Sequence, residues 1–269
     1  MISGTIASGT QQLHYLRWDG GKKLLLAFHG YGNSAALFKV MAGMLTDEYT
    51  VISIDLPYHG KSDWHTDKPW QKEELVVTIK ALMKQLDADR ISIVCFSIGG
   101  RVGLTLAEQL PEIITSLVLI AADGLVPNRF YYFVTTNAIG KKLFGHFLEN
   151  PAVYMKFINW LAKRKWIHPS RKKFVDYYTA APESRNFLRK VWPNMRLILP
   201  DLDKVKRHIE QYHIDTHLFM GRYDRVIPVK HGEVFAAGQK NIHVHILEKS
   251  HRIMDEQTAR EVAKILSVS

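Results

Sequence analysis

Short apolar runs alternate along this chain with stretches in which apolar residues recur every three or four positions. Residues 24–28 (Leu-Leu-Leu-Ala-Phe), 50–54, 91–95 and 116–121 are continuous or nearly continuous apolar runs. Runs of about four to eight residues without polar alternation suit strands buried on both faces of a parallel sheet. Residues 35–45 and 71–86, lying between them, have the spacing of amphipathic helices. The pattern returns near the carboxyl end, with strands predicted at 216–220 and 242–247 and helices at 230–237 and 255–266. Residues 10–18 alternate loosely and suit an antiparallel edge strand. This order predicts an α/β protein built on a doubly wound, mostly parallel sheet with helices on both faces.

The alternation breaks between residues 124 and 212. No strand-like run occurs there; the pattern is helical (Tyr154, Phe157, Ile158, Leu161) and is punctuated by Pro151, Pro169, Pro182, Pro193 and Pro200. Composition shifts at the same place. The segment holds 17 Lys/Arg against 6 Asp/Glu, and 16 of the 29 aromatic residues, while the rest of the chain holds 19 against 20. The whole positive excess, a net charge of +10, thus comes from one third of the chain. Residues 1–123 and 213–269 are therefore expected to form the α/β core, and 124–212 an inserted helical cap.

Composition narrows the class further. A chain of 269 residues with 46% hydrophobic and 23% charged residues can bury a large core. No run of about 18 apolar residues occurs, so no spanning helix is expected. The first residues lack a basic stretch followed by a long apolar one, so no secretory signal is expected. The single cysteine rules out an internal disulfide and fits a reducing compartment; the expected location is the cytoplasm.

Candidate chemistry gathers where the predicted strands end, as it does in doubly wound sheets. The run 24–28 ends in His29-Gly30-Tyr31-Gly32, whose glycines let a loop fold close and present backbone N–H groups. The run 91–95 stops at Phe96-Ser97-Ile98-Gly99-Gly100-Arg101, and a helical pattern starts at once. A strand turning so tightly into a helix strains its corner residue and projects its hydroxyl. Small residues must flank such a corner. Gly99 and Gly100 do so, whereas Cys95 stands where glycine is usual. Taken alone, this stretch fits an ordinary strand–glycine–helix junction equally well. Two further strand ends carry Gly221-Arg222-Tyr223-Asp224 and Ser250-His251.

Together with Asp55-Leu56-Pro57-Tyr58-His59-Gly60-Lys61-Ser62, these motifs stand in an order that resembles the α/β-hydrolase fold family over nearly the whole chain. The resemblance implies Ser97 as nucleophile, Asp224 as acid and His251 as base, with the backbone N–H groups of Tyr31 and Ile98 as oxyanion donors. Asp123, at the end of 116–121, competes with Asp224, because the acid of some relatives stands there. Tyr58 departs from the family's Gly-His-Gly turn, as Cys95 departs from the elbow. Asp55 and His59 are expected to stabilise their own turn, Cys95 to pack in the core, and His243 and His245 to lie on a sheet face. A serine at 97 argues against the dehalogenases and epoxide hydrolases of the family, whose nucleophile is aspartate.

The chemistry has a physical logic. A serine hydroxyl is a poor nucleophile until an imidazole takes its proton; the imidazole needs a carboxylate to fix its tautomer; and the oxyanion needs preorganised donors. The expected activity is hydrolysis of a carboxylic ester of small or medium acyl chain through an acyl-enzyme, without cofactor or metal. Two alternatives stand beside it. Ser97-Ile98-Gly99-Gly100-Arg101 with Asp55-Leu56-Pro57 also resembles the menaquinone-pathway synthase that eliminates pyruvate, in which the arginine helps hold a carboxylated substrate. A non-catalytic binding protein on the same fold is the other. Arg101, Phe130 and Trp160 are candidate substrate-binding residues; His29 is expected to brace the oxyanion loop, with substrate binding as its alternative role. The basic runs 163–165 and 171–173 are solvated faces or meet an acidic carrier protein, an acidic substrate or an anionic membrane surface. Nucleic acid is not expected, since no binding motif accompanies the charge.

Overall fold

Strands buried on both faces must lie inside a sheet, and the apolar runs do. The computed structural model describes residues 1–167 and 169–267. Its strands are β1 (Ile2–Ser8), β2 (Gln11–Trp18), β3 (Lys23–Phe28), β4 (Tyr49–Ile54), β5 (Ile91–Phe96), β6 (Ile114–Ile120), β7 (Asp215–Gly221) and β8 (Ile242–Leu247). They form one sheet in the order β1-β2-β4-β3-β5-β6-β7-β8. From β4 to β8 every neighbouring pair is parallel, while β1–β2 and β2–β4 are antiparallel. The fold is thus the mostly parallel α/β sheet expected. The chain passes from β3 to β4 on one side, and β5 lies on the other side of β3. Strand order therefore reverses at β3 and β5, which opens a crevice at their carboxyl ends.

One strand assignment needs correction. Residues 10–18 do not form an edge: β2 pairs with β4 on one side and β1 on the other. The edge on that side of the sheet is β1, which pairs with β2 from Ser8↔Gln11 to Ile2↔Arg17. Its side chains are mostly exposed or half-buried, so it carries no continuous apolar signal. It is held by its partner rather than by its own composition.

Helices α1 (Lys39–Leu45) and α11 (Glu256–Leu266) cover one face. Their Met41, Ala42, Leu45, Ala259, Val262 and Leu266 join Leu25, Val94, Val118 and Phe219 of the sheet in one core cluster. The Tyr49 hydroxyl donates to the Leu266 carbonyl at 2.9 Å and ties the last helix down. Helices α2 (Lys72–Gln85) and α3 (Gly99–Gln109) follow Gln71 and Ser97, respectively.

The remaining helices are α4 (Arg129–Thr136), α5 (Ala138–Glu149), α6 (Pro151–Lys163), α7 (Pro169–Ala180), α8 (Pro182–Asn194), α9 (Leu202–Gln211) and α10 (Val229–Ala236). The chain divides into two compact units, Met1–Thr66, Trp70–Val126 and Ile198–Ser269 in one, Asp67–Pro69 and Pro127–Leu197 in the other. Among its described residues helices are the only regular structure of the second unit, and its main stretch, Pro127–Leu197, is shorter than 124–212. α9 accounts for the difference. Its Val205 and Ile209 are buried, His208 Nδ1 donates to the Ala107 carbonyl at 3.1 Å, and the Asp201 N–H donates to Glu108 at 3.0 Å. That ties α9 to α3 in the sheet unit.

Within the helical unit three of the prolines begin helices. Pro151, Pro169 and Pro182 open α6, α7 and α8, where a missing N–H costs nothing; Pro193 sits in the last turn of α8. Asn128 and Asn137 cap α4 and α5 with their side chains. Trp192 anchors the unit, stacking on Phe144 at 5.4 Å and accepting at its carbonyl the Tyr131 hydroxyl at 2.7 Å.

Candidate active site

Ser97 sits between β5 and α3 with φ of 50°, a left-handed conformation that a residue with a Cβ adopts only under constraint. The constraint is visible. Its N–H donates to the Ile120 carbonyl at 3.0 Å, and its carbonyl accepts from Gly100 at 2.9 Å and Asp123 at 2.8 Å. Space is as tight as the sequence implies. A Cβ on Gly99 would collide with the Phe28 carbonyl, and one on Gly100 would lie 2.5 Å from the Ala122 Cβ. Cys95 is tolerated because the crossing helix makes room for it: a Cβ on Gly103 would lie 2.5 Å from the Cys95 Sγ. Gly103 thus leaves free the space that the Cys95 side chain fills.

Ser97 Oγ lies 3.1 Å from His251 Nε2, and His251 Nδ1 lies 2.7 Å from Asp224 Oδ2. The loops after β5, β7 and β8 bring these three residues together from across the chain. Asp224 is buried and also accepts the N–H groups of Val226 (2.7 Å) and Ile227 (2.9 Å) on Oδ1, so its orientation is fixed by its own loop. With Nδ1–H given to that carboxylate, His251 presents Nε2 as the acceptor facing Ser97. Phe96 packs beside the imidazole at 5.6 Å between ring centroids. Such a relay can take a proton from the serine hydroxyl and return it to a leaving group.

Asp123 is engaged elsewhere. Its Oδ2 pairs with Arg101 Nη2 at 2.6 Å, and its Oδ1 accepts from Gly124 at 2.8 Å. Arg101, a candidate substrate-binding residue, is itself buried. His29, another, is fully buried, with Nδ1 donating to the Gly30 carbonyl at 2.8 Å and Nε2 accepting the Leu56 N–H at 3.0 Å. Burial pushes its pKa down to about 3, and nearby His59 adds to the shift. It braces the loop that carries Tyr31. That loop runs close to the serine, since a Cβ on Gly30 would lie 2.7 Å from the Phe96 ring. Ile98 leads into α3, where first-turn N–H groups have no acceptor within the helix. Phe130 and Trp160 lie in the helical unit, on α4 and α6, both exposed.

The Asp55 turn is structural in its contacts. The buried carboxylate accepts from Ala35 N (2.5 Å), Lys61 N (2.9 Å) and His14 Nδ1 (2.7 Å). His59 donates to the Pro57 carbonyl at 2.8 Å, and burial lowers its pKa to about 4. Tyr58 takes the left-handed conformation glycine would favour, with φ of 64°, and its hydroxyl donates to the Thr66 carbonyl. His243 and His245 lie on β8, where His245 Nε2 and His217 Nδ1 of β7 are 2.9 Å apart; the sequence signals the alternation but not the partner. Among the described residues no cluster of His, Cys, Asp or Glu is arranged to hold a metal. Arg171, in the second basic run, lies outside the described side chains.

Comparisons with known proteins agree with this architecture. The family profile described as "alpha/beta hydrolase fold" matches residues 23–257. An uncharacterized hydrolase of Bacillus subtilis is 22% identical over 247 residues, covering 88% of this chain and 86% of that protein. The 2-hydroxy-6-oxononadienedioate/2-hydroxy-6-oxononatrienedioate hydrolase 1 of Pseudomonas putida is 23% identical, covering 88% and 84%. An esterase from Exiguobacterium antarcticum superposes with a TM-score of 0.66 at 17% identity, covering 99% of each chain, a likeness of fold.

Proposed function

This chain belongs to the alpha/beta hydrolase fold family, and from that premise we propose that it is a serine hydrolase acting on carboxylic esters of small or medium acyl chain. The observation that carries the reading is the relay from Ser97 through His251 to Asp224, 3.1 and 2.7 Å at its two links. His251 Nε2 takes the hydroxyl proton as Ser97 Oγ attacks the ester carbonyl carbon. The oxyanion is met by the N–H groups of Ile98 and Tyr31, each worth about 3 kcal/mol to the barrier. Collapse expels the alcohol, which receives the proton from His251, and leaves the acyl group on Ser97. Water, deprotonated by the same imidazole, then releases the acid and restores the serine. No cofactor is required. A reducing cytoplasm is the compartment this reading assumes, with Cys95 buried and reduced.

The ion pair between buried Arg101 and half-buried Asp123 weighs against the synthase-like alternative, since that guanidinium is already committed to a carboxylate within the chain. The Pseudomonas putida relative is named for hydrolysing a dienedioate, which makes carbon–carbon bond hydrolysis the comparison to run. The test is a panel of p-nitrophenyl esters of rising acyl length beside a 2-hydroxy-6-oxo-dienoate, with wild type and Ser97→Ala. Serine-dependent turnover of the shorter esters supports the reading. Turnover of the dienoate alone would overturn it.

A further inference from the structure

α6 is apolar on both sides. Tyr154, Met155, Ile158 and Leu161 are half-buried, as expected of the face a helix turns inward. Its opposite side should be polar, yet carries Val153 (65% exposed), Phe157 (59%) and Trp160 (42%) at helical spacings of four and three residues. Trp166, in the turn that follows, is 70% exposed. These rings are organised among themselves: Phe157 stacks on Trp160 at 5.8 Å, Trp166 meets Trp160 edge-on at 5.7 Å, and the Arg164 guanidinium lies 4.9 Å from the Trp160 ring centroid. A contiguous exposed apolar stripe of this kind marks a surface that something covers.

Charge indicates what covers it. Residues 127–197 carry 14 Lys/Arg against 3 Asp/Glu, and from 150 to 175 there is no acidic residue at all. Lys156, Lys163, Arg164 and Lys165 are exposed around the stripe. The centre of a protein–protein interface is depleted of charge, whereas a helix lying in a bilayer surface combines Trp and Phe on one side with Lys and Arg beside them. No helix among the described residues is long and apolar enough to cross a membrane. We propose that α6 and the turn after it form a peripheral docking surface for an anionic lipid bilayer. Phe157, Trp160 and Trp166 enter the headgroup region, and the flanking cations meet lipid phosphates. This surface is independent of which bond Ser97 attacks.

The test uses the full chain and two kinds of vesicle, phosphatidylcholine alone and phosphatidylcholine mixed with phosphatidylglycerol. Binding is read by co-sedimentation and by a blue shift of tryptophan emission. Wild type should bind the anionic vesicles at least tenfold more tightly, and rising salt should weaken binding as screening sets in. Val153→Ser/Phe157→Ser and Lys156→Gln/Lys163→Gln should each reduce binding about tenfold, while soluble-ester turnover stays at the wild-type level as a control for folding. Quenching of wild-type emission by brominated lipid gives a reading that depends on no variant. No wild-type binding at low salt would overturn the proposal, as would equal binding to both vesicles. So would loss in the lysine variant with none in the apolar one, which is the behaviour of a patch for an acidic protein.

Discussion

Arg101, four residues after the strained Ser97, closes a largely buried ion pair with Asp123 at 2.6 Å. The Asp123 N–H also holds the Ser97 carbonyl. The pair therefore belongs to the scaffold of the elbow, and the carboxylate that meets the imidazole is Asp224. Asp123→Asn should cost about 2–3 kcal/mol of stability by weakening a buried charge pair and leave turnover within several-fold of wild type. Asp224→Asn should cut turnover by roughly 10³–10⁴. Thermal melts and ester kinetics on both variants check this; the reverse ranking would move the acid to the β6 end.

Ser97 and His251 are proposed to act as one unit. Ser97→Ala and His251→Ala should each lower ester turnover by several orders of magnitude, and the double variant should be little worse than either. Steady-state kinetics of the three variants decides it, since additive losses would mean independent roles.

Cys95 and Gly103 share one space between β5 and α3. Gly103→Ala should destabilise by about 1–3 kcal/mol through overpacking, because its Cβ would lie 2.5 Å from the Cys95 Sγ. Cys95→Gly should relieve that clash, so the double variant should be more stable than the sum of the single effects allows. Urea unfolding of the four-member cycle measures the coupling, and strict additivity would separate the two positions.

His29 and His59 are buried with pKa values lowered to about 3 and about 4 from an ordinary 6.5, chiefly by burial. The folded state binds these protons less readily than the unfolded chain. Their neutral forms thus contribute stability that is full above pH 6.5 and is lost as pH falls from there toward 4 and then 3. Each can contribute up to about 1.4 kcal/mol per pH unit in that window. Melting temperature should fall steeply below pH 6.5 and depend far less on pH between 7 and 8. A flat profile from 7 to 4 would show that these rings are not buried neutral.

Strongly periodic parts of this protein are legible in the sequence. The apolar runs within β3 to β6 are broken by nothing more polar than Ser or Thr and so are legible as strands; Ser97 stands at the end of one of them, while Asp224 and His251 follow the strands predicted at 216–220 and 242–247. Other features depend on partners distant in sequence. β1 has no apolar pattern of its own and exists through pairing with β2. α9 has a helical pattern like the segment before it, and only its bonds to Ala107 and Glu108 assign it to the sheet unit. Of the two roles open to His29 in the sequence, bracing the oxyanion loop or binding substrate, only the contacts decide: both ring nitrogens are committed to the backbone. The space that admits Cys95 comes from a glycine eight residues later, which the elbow motif alone does not reveal.

Intact-mass and peptide-mapping spectrometry after reaction with a fluorophosphonate tests the central assignment most directly. The reagent phosphonylates a serine that an imidazole has activated. A single adduct mapping to Ser97 is predicted, absent in Ser97→Ala and formed far more slowly in His251→Ala and Asp224→Asn. An unmodified wild-type protein, or an adduct on another residue, would contradict it.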